Sequence, residues 1–204
     1  MHTLTYRNDS KIIRELIETD PKLKELFERK EEIIVYVSDR YFESLVDTII
    51  AQQLSSKVAN VISKRVSQFF DGQITEMKLL EAKDEDLRGL GLSFQKIKYL
   101  RSLADCIHNG IVDLNNLESK SDLEIIEMLV KVKGIGVWTA QMFLMFSMGR
   151  EDVFSVLDLG LRNALKKVYN DESLTHDQMT EIASKWSPYR SVVSHYLWHA
   201  WDMK

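Results

Sequence analysis

The residues best placed to do chemistry lie between Leu129 and Asn163. An apolar helix end, Leu129-Val130, runs into the turn Val132-Lys133-Gly134-Ile135-Gly136, and a second apolar stretch follows from Val137 to Met148. Glycines let such a turn take backbone angles closed to other residues and bring main-chain N–H groups close to whatever docks there. N–H groups at the start of the next helix carry partial positive charge, so the turn suits a phosphate. A short crossing, Asp152-Val153-Phe154-Ser155-Val156-Leu157, then delivers Asp158 to the start of a third helix. A helix–hairpin–helix that grips a phosphate, followed by an acid, describes a device that holds a nucleic-acid backbone and does chemistry beside it. Each part also has an ordinary use: Gly-x-Gly can be a tight connection between core helices, and an Asp at this position can simply cap its helix. His195 and His199 stand four apart, a spacing that can bind zinc, but no third ligand is evident and no HExxH accompanies them, so no zinc site is expected.

The whole block is more specific than its parts. It resembles the helix–hairpin–helix, Gly/Pro-rich, aspartate (HhH-GPD) superfamily of DNA glycosylases, and within it the alkylation-repair 3-methyladenine branch. The matching residues are Lys133-Gly134-Ile135-Gly136-Val137-Trp138-Thr139-Ala140, Asp152-Val153-Phe154 and Asp158. Two further matches are Ile49-Ile50-Ala51-Gln52-Gln53-Leu54-Ser55, and Pro188-Tyr189-Arg190-Ser191 with Trp198, so the resemblance covers most of the chain from about residue 40 onward.

The resemblance implies a division of labour. Asp158 is the catalytic carboxylate, beside the sugar carbon where positive charge builds as the N-glycosidic bond breaks. Asp152, the neighbouring acid, leads the crossing and is structural. Some relatives carry a nucleophilic lysine where this chain has Trp138, which implies a monofunctional enzyme with water as nucleophile and an abasic site as product. Trp138 and Trp198 match aromatic pocket positions, and purines methylated at N3 or N7 are cations that stack well on indole faces. Met142 falls where some relatives have Tyr, and Ser56 where some have an apolar residue; these departures leave the range of bases open. Base chemistry requires the nucleotide to leave the stack, and Gln53, with Leu54 beside it, matches the wedge that fills the hole, though the same break reads equally as a polar helix kink. The DNA grip is assigned to Lys133, Gly134, Ile135, Gly136 and Thr139. A monovalent cation, Na+ or K+, held by main-chain carbonyls of Val130, Val132 and Ile135 is implied as a bridge to a DNA phosphate; no other cofactor is expected.

Composition bounds these expectations. With 204 residues, 45% of them hydrophobic, 8 Gly and 2 Pro, the chain suits one compact helical unit of two lobes. Cys106 is the only cysteine, which excludes an intramolecular disulfide and a four-cysteine iron–sulfur cluster and points to a reducing, intracellular setting: cytoplasm and nucleoid, or a nucleus. No apolar run is long enough to span a membrane, and the N-terminus lacks the apolar core of a signal peptide. The formal net charge of −4 argues mildly against DNA binding, but contact requires a local basic face only.

Helices must position the site. Residues 10–30 read as helical; residues 31–37 as a short extended piece or a loop; no strand pattern is convincing. Ser38 or Asp39 can cap the next helix, with Phe42, Leu45, Val46, Ile49 and Ile50 at helical spacing. Ser55 or Ser56 restarts a helix with the stripe Val58, Val61, Ile62, Val66 and Phe69, closed by Gly72. A second glycine turn, residues 89–93, leads into a helix ended by Asn109-Gly110. Ser121 with Glu124 and Thr175 with Gln178 make capping boxes, and Ser187-Pro188 starts the last helix. The fold class is all-α. One lobe spans approximately residues 38–150, with the hairpin at 129–141, the other residues 1–37 and 151–204, and the cleft between them holds the site. The expected function is excision of alkylated purines (3-methyladenine and 7-methylguanine type) from damaged double-stranded DNA by a monomer, in the compact form without the additional N-terminal domain of the larger enzymes. The alternatives are a glycosylase for ethenoadenine or hypoxanthine, and a non-catalytic helix–hairpin–helix DNA-binding module, which would not need Asp158, Trp138 and Trp198.

Overall fold

The structure, a computed structural model, describes residues 2–201, the last by its backbone alone. The side chain of Trp201 lies outside the described residues. The architecture is predominantly helical, and its contacts divide the chain into two units, Met1–Ser38 with Leu144–Lys204, and Asp39–Phe143.

The first unit contains the only strands among the described residues. β1 (His2–Arg7) pairs antiparallel with β2 (Glu32–Val37), in a register from His2 opposite Val37 to Arg7 opposite Glu32. β2 reads EIIVYV, and its alternation is that of a half-buried strand: Ile33, Val35 and Val37 face the core, while Ile34 and Tyr36 are exposed. β1 carries only Tyr6 as a buried residue, so its partner had to be seen before it could be read as a strand. Residues 10–30 are not one helix. Ser10 caps α1 (Lys11–Thr19), and Asp20 takes extended angles and caps the single turn Pro21–Leu23. α2 (Lys24–Glu28) follows. Ile13, Leu23 and Phe27 then pack with Leu161, Trp186 and Tyr196 from α10 (Leu159–Tyr169), the segment before the last helix, and α12 (Arg190–Trp201). Phe27 meets the Tyr196 ring edge-on at 4.8 Å, and the Tyr196 hydroxyl donates to the carbonyl of Tyr6 at 2.9 Å. α11 (His176–Ser184) begins with the expected Thr175–Gln178 capping box.

The second unit holds α3 (Tyr41–Ala51), α4 (Ser56–Phe69), α5 (Glu76–Glu81), α6 (Asp84–Gly89), α7 (Phe94–His108) and α8 (Asp122–Leu129). α9 (Val137–Phe146) runs through the boundary between the units. Leu45, Val46, Ile49 and Ile50 of α3 are buried as their spacing requires. Ser55, Ser93 and Ser121 cap α4, α7 and α8, the last through the expected box with Glu124.

Three local expectations fail. Arg40, rather than Ser38 or Asp39, stands at the N-cap of α3. α4 buries Ala59, Ile62 and Val66, leaving Val58, Val61 and Phe69 exposed, so its buried face is the one carrying the small Ala59 rather than the expected valines. The last helix starts at Arg190; Ser187–Pro188 is a cis peptide in the turn before it, so Pro188 is not its first residue. No described helix is long and apolar enough to cross a membrane.

Asp20 ties the N-terminal segment to the rest of its unit. It is buried and accepts from the indole Nε1 of Trp186 at 3.0 Å and from the hydroxyl of Tyr169. Asp20→Ala strands two donors and is expected to lower stability by about 2–4 kcal/mol, read as a reduced urea midpoint at neutral pH.

Candidate active site and nucleic-acid interface

In the first unit the chemistry centres on Asp158. It is the N-cap of α10, and its Oδ1 accepts from Leu161 N at 2.8 Å and from Trp198 Nε1 at 3.0 Å. The capping use is thus real, and the same oxygen also takes the indole proton. Trp198 is half-buried and sits 5.3 Å from the Phe146 ring and 5.8 Å from His195. His195 is buried, 6.1 Å from Tyr6 in a stacked arrangement and 5.3 Å from Phe146. Burial, with a smaller contribution from the charge of His199, pulls the His195 imidazole down to about 4, so it is a neutral packing group behind Trp198 at pH 7. His199 is exposed, and no group of three potential metal ligands occurs among the described residues. Gly160 lets this cluster close: a Cβ there would lie 3.1 Å from Asp158 Oδ1 and 3.4 Å from Trp198 Cδ1.

The crossing that carries Asp158 is fastened by the start of α12. Asp152 Oδ1 accepts from Arg190 Nε at 2.7 Å, and its Oδ2 from Arg190 Nη2 at 3.1 Å and Ser187 Oγ at 2.7 Å. Burial pushes the Asp152 carboxyl up, but the hydrogen bonds from Arg190 and Ser187 outweigh it and hold the group below the ordinary carboxylate range. Ser191 Oγ accepts from Val153 N at 2.9 Å and donates to Arg150 O at 2.7 Å. This gives a physical use to the Pro188-Tyr189-Arg190-Ser191 stretch: it anchors the segment that delivers the acid.

In the second unit the hairpin is built largely from its own donors and acceptors. Val132 N donates to Leu129 O at 3.0 Å, Ile135 N to Val132 O at 3.1 Å, and Lys133 N to Ser102 Oγ of α7 at 3.0 Å. The two glycines do different work. Gly134 has φ +90°, and a Cβ there would come within 2.3 Å of the Tyr99 ring, so this position needs glycine for the fold itself. Its carbonyl accepts from Gln52 Nε2 at 2.8 Å. Gly136 is exposed, and a Cβ there would meet nothing within 4 Å. Of the other residues assigned to the DNA grip, Lys133 is exposed, whereas Ile135 and Thr139 are buried. Their side chains therefore secure the turn and the base of α9.

Trp138 is 41% exposed and shares one face of α9 with the half-buried Met142, four residues on. Gln141 lies between them on that face, and its Oε1 is buried with no hydrogen-bond partner. Gln53 is exposed at φ +59°, a left-handed conformation uncommon outside glycine. Gln53, Leu54, Trp138 and Thr139 line one cavity of about 720 Å³ with Lys96 and Tyr99. Ser56 lies in the exposed first turn of α4 and is not among the lining residues. Sequence reasoning missed Gly160, Phe146 and His195 around the acid, and Gln52, Lys96, Tyr99 and Ser102 around the hairpin. Only Gly160 left a local trace, as a glycine in the first turn of a helix, where it weakens the helix unless something needs the space.

Comparison with known proteins adds to this geometry. The family model described as HhH-GPD superfamily base excision DNA repair protein matches residues 46–188. A putative DNA-3-methyladenine glycosylase of Bacillus subtilis is 34% identical over 167 residues, which cover 78% of this chain and 58% of that protein, so the chain spans under two thirds of that relative's length. DNA-3-methyladenine glycosylase 1 of Schizosaccharomyces pombe is 33% identical, over 77% of this chain and 71% of that protein. Among solved structures, a DNA-3-methyladenine glycosidase from Bacillus halodurans superposes with a TM-score of 0.88 at 37% identity, covering 97% of this chain and 92% of that one. The Schizosaccharomyces pombe 3-methyladenine DNA glycosylase in complex with abasic DNA gives a TM-score of 0.81 at 29% identity, covering 95% and 98%.

Two measurements follow from these surroundings. Gly134→Ala is expected to destabilise the fold strongly, because it adds a left-handed strain and a collision with Tyr99; Gly136→Asp should fold with unchanged melting but bind plain duplex and an abasic-site duplex equally poorly, as loss of a phosphate contact requires. Equal melting of the two variants would contradict the assignment. The neutral His195 makes stability pH-dependent: between its unfolded value of 6.5 and its folded value of about 4 the unfolded chain binds a proton that the folded chain refuses. Stability therefore falls as pH falls through that window, by about 1.4 kcal/mol per pH unit. His195→Leu should flatten this slope in urea denaturation series.

Proposed function

Because this chain belongs to the HhH-GPD superfamily of base excision DNA repair proteins, we infer that it is a monofunctional DNA glycosylase that removes alkylated purines, of the 3-methyladenine and 7-methylguanine type, and leaves an abasic site. The observation that carries this reading is the double hold on Asp158 Oδ1 by Leu161 N and Trp198 Nε1. A module that only binds DNA would use the cap to Leu161 N but does not need the second bond from Trp198 Nε1 to the same oxygen. The names of the relatives support the substrate class, and the abasic DNA held by the Schizosaccharomyces pombe protein is the product such a reaction leaves.

The chemistry is simple to balance. The C1′–N bond breaks with its electron pair going to the base, which in a cationic methylated purine becomes neutral on leaving. Positive charge passes to the sugar, and the Asp158 carboxylate stabilises it. Water then adds at C1′ and gives its proton to Asp158 or to solvent. The N-cap hydrogen bond and the indole N–H keep the carboxylate oriented, so little reorganisation is needed as charge develops. Trp198, backed by Phe146 and neutral His195, and Trp138 on α9 offer aromatic faces for a cationic base. Trp138 stands where a nucleophilic lysine would be needed for strand cleavage. Gln53 serves as the wedge, with Leu54 beside it, and Gly136 with Lys133 takes the phosphate. The carbonyls of Val130, Val132 and Ile135 are the group that would hold a Na+ or K+ ion, which would supply positive charge for a DNA phosphate; Val132 O already accepts from Ile135 N, and a carbonyl's second lone pair would be the one available to the ion. The partner is damaged duplex DNA, met as a monomer in a DNA-containing compartment.

The test is release of bases from methylated duplex, separated by chromatography. Asn caps a helix as well as Asp does, so Asp158→Asn should fold normally, bind DNA nearly as before and lose about 100-fold or more in release. Borohydride should trap no enzyme–DNA adduct. Near wild-type release from the folded variant, or a trapped adduct, would overturn the mechanism; release of ethenoadenine or hypoxanthine alone would redirect the substrate.

A further inference from the structure

Three residues of α7, spaced three apart, reach the two loops assigned to DNA. Lys96 Nζ donates to Ile50 O at 2.6 Å, in the last turn of α3 just before the Gln52–Ser55 break. The Tyr99 ring fills the space that a side chain at Gly134 would need. Ser102 Oγ accepts from Lys133 N at 3.0 Å. A fourth link closes the set: Gln52 Nε2 of the break donates to the carbonyl of Gly134 at 2.8 Å. Between the break, α7 and the hairpin lies the cavity of about 720 Å³. The break thus borders open space, and Gln53 at its tip holds a strained left-handed backbone. Such strain persists only where the surroundings over-determine it. Besides the turn bond from Leu54 N to Ala51 O at 3.1 Å, what holds the break is polar: an ammonium on the carbonyl end of α3, where a cation also suits the helix dipole, and an amide bonded to the hairpin. Burial lowers the basicity of Lys96, but the short bond to Ile50 O gives its proton a fixed destination.

We propose that Lys96 and Gln52 are positioning residues that set the wedge loop at a fixed distance from the phosphate-gripping hairpin, so that gripping the backbone and wedging the stack act as one rigid step. The proposal rests on the wedge and hairpin roles given above. Flipping a base costs unstacking energy, and a wedge that gives way under load cannot deliver that work. The chemistry at the sugar does not need the strut once the base is already out.

The experiment separates the two steps. Single-turnover release of a methylated base is measured from a fully paired duplex and from the same lesion in an unpaired bubble, for wild type, Lys96→Met, Gln52→Leu and Lys96→Arg, each with melting checked. A 2-aminopurine beside the lesion reports flipping independently of bond cleavage. Lys96→Met and Gln52→Leu should each lose about tenfold in release from the paired duplex and in the flipping signal, lose less than about twofold from the bubble, and Lys96→Arg should restore the duplex rate. Equal losses on both substrates, or no loss on either, from folded variants would overturn the proposal. Flipping by wild type without release from either substrate would instead count against the glycosylase reading and leave the strut to be judged by the fluorescence alone.

Discussion

The crossing from Gly149 to Asp158 carries the acid on which the proposed chemistry turns, yet it has no helix or strand of its own to satisfy its backbone. Its polar groups are met instead by residues at and just before the start of α12: the Arg190 guanidinium and Ser187 hydroxyl on Asp152, and the Ser191 hydroxyl on Arg150 and Val153. Buried main-chain groups left without partners cost more than these hydrogen bonds gain, so losing any one of these partners is costly. At one end Gly149 turns at φ +69° where a side chain would meet Val37 and Leu4. At the other, Asp158 is fixed by its own helix and by Trp198. The placement of one carboxylate therefore depends on segments distant in sequence, from the N-terminal sheet to the last helix.

A similar economy runs through the second unit. The hairpin would be a loose loop if its donors all waited for a ligand. Three of them, on Val132, Lys133 and Ile135, hold its shape, and Val132 and Ile135 also bury their side chains. A turn fixed before DNA arrives loses less entropy on binding. The formal charge of −4 is an average that conceals local charge, such as the exposed Lys133 at this turn.

Much of the helical framework was legible from spacing and caps alone. The buried stripe of α3, the serine starts of α4, α7 and α8, and both capping boxes follow from interactions within a few residues, which sequence displays directly. The failures have one kind of cause. β1 shows little alternation of its own and exists through β2. Residues 10–30 are helical as read, but in pieces, with the break at Asp20, which Trp186 and Tyr169 claim from far along the chain. α4 buries Ala59 and leaves Val58, Val61 and Phe69 exposed, a choice of face set by what the helix packs against and not by its own spacing.

The site divides along the same line. Sequence by itself determined that a glycine turn, an apolar helix and an acid at a helix start follow one another, because motif order is a property of the chain, and it pointed to Asp158, Trp138 and Trp198 through their matching positions. Tertiary structure alone decided that Asp158 Oδ1 receives both a backbone and an indole proton, that His195 is a buried neutral prop, that Gly134 serves the Tyr99 ring while Gly136 lies open, and that Lys96 and Gln52 hold the break above a cavity. The physical reason is range. Capping and periodicity act across three or four residues, whereas hydrogen-bond acceptance, burial and a shifted pKa are set by neighbours that only folding brings within a few ångströms.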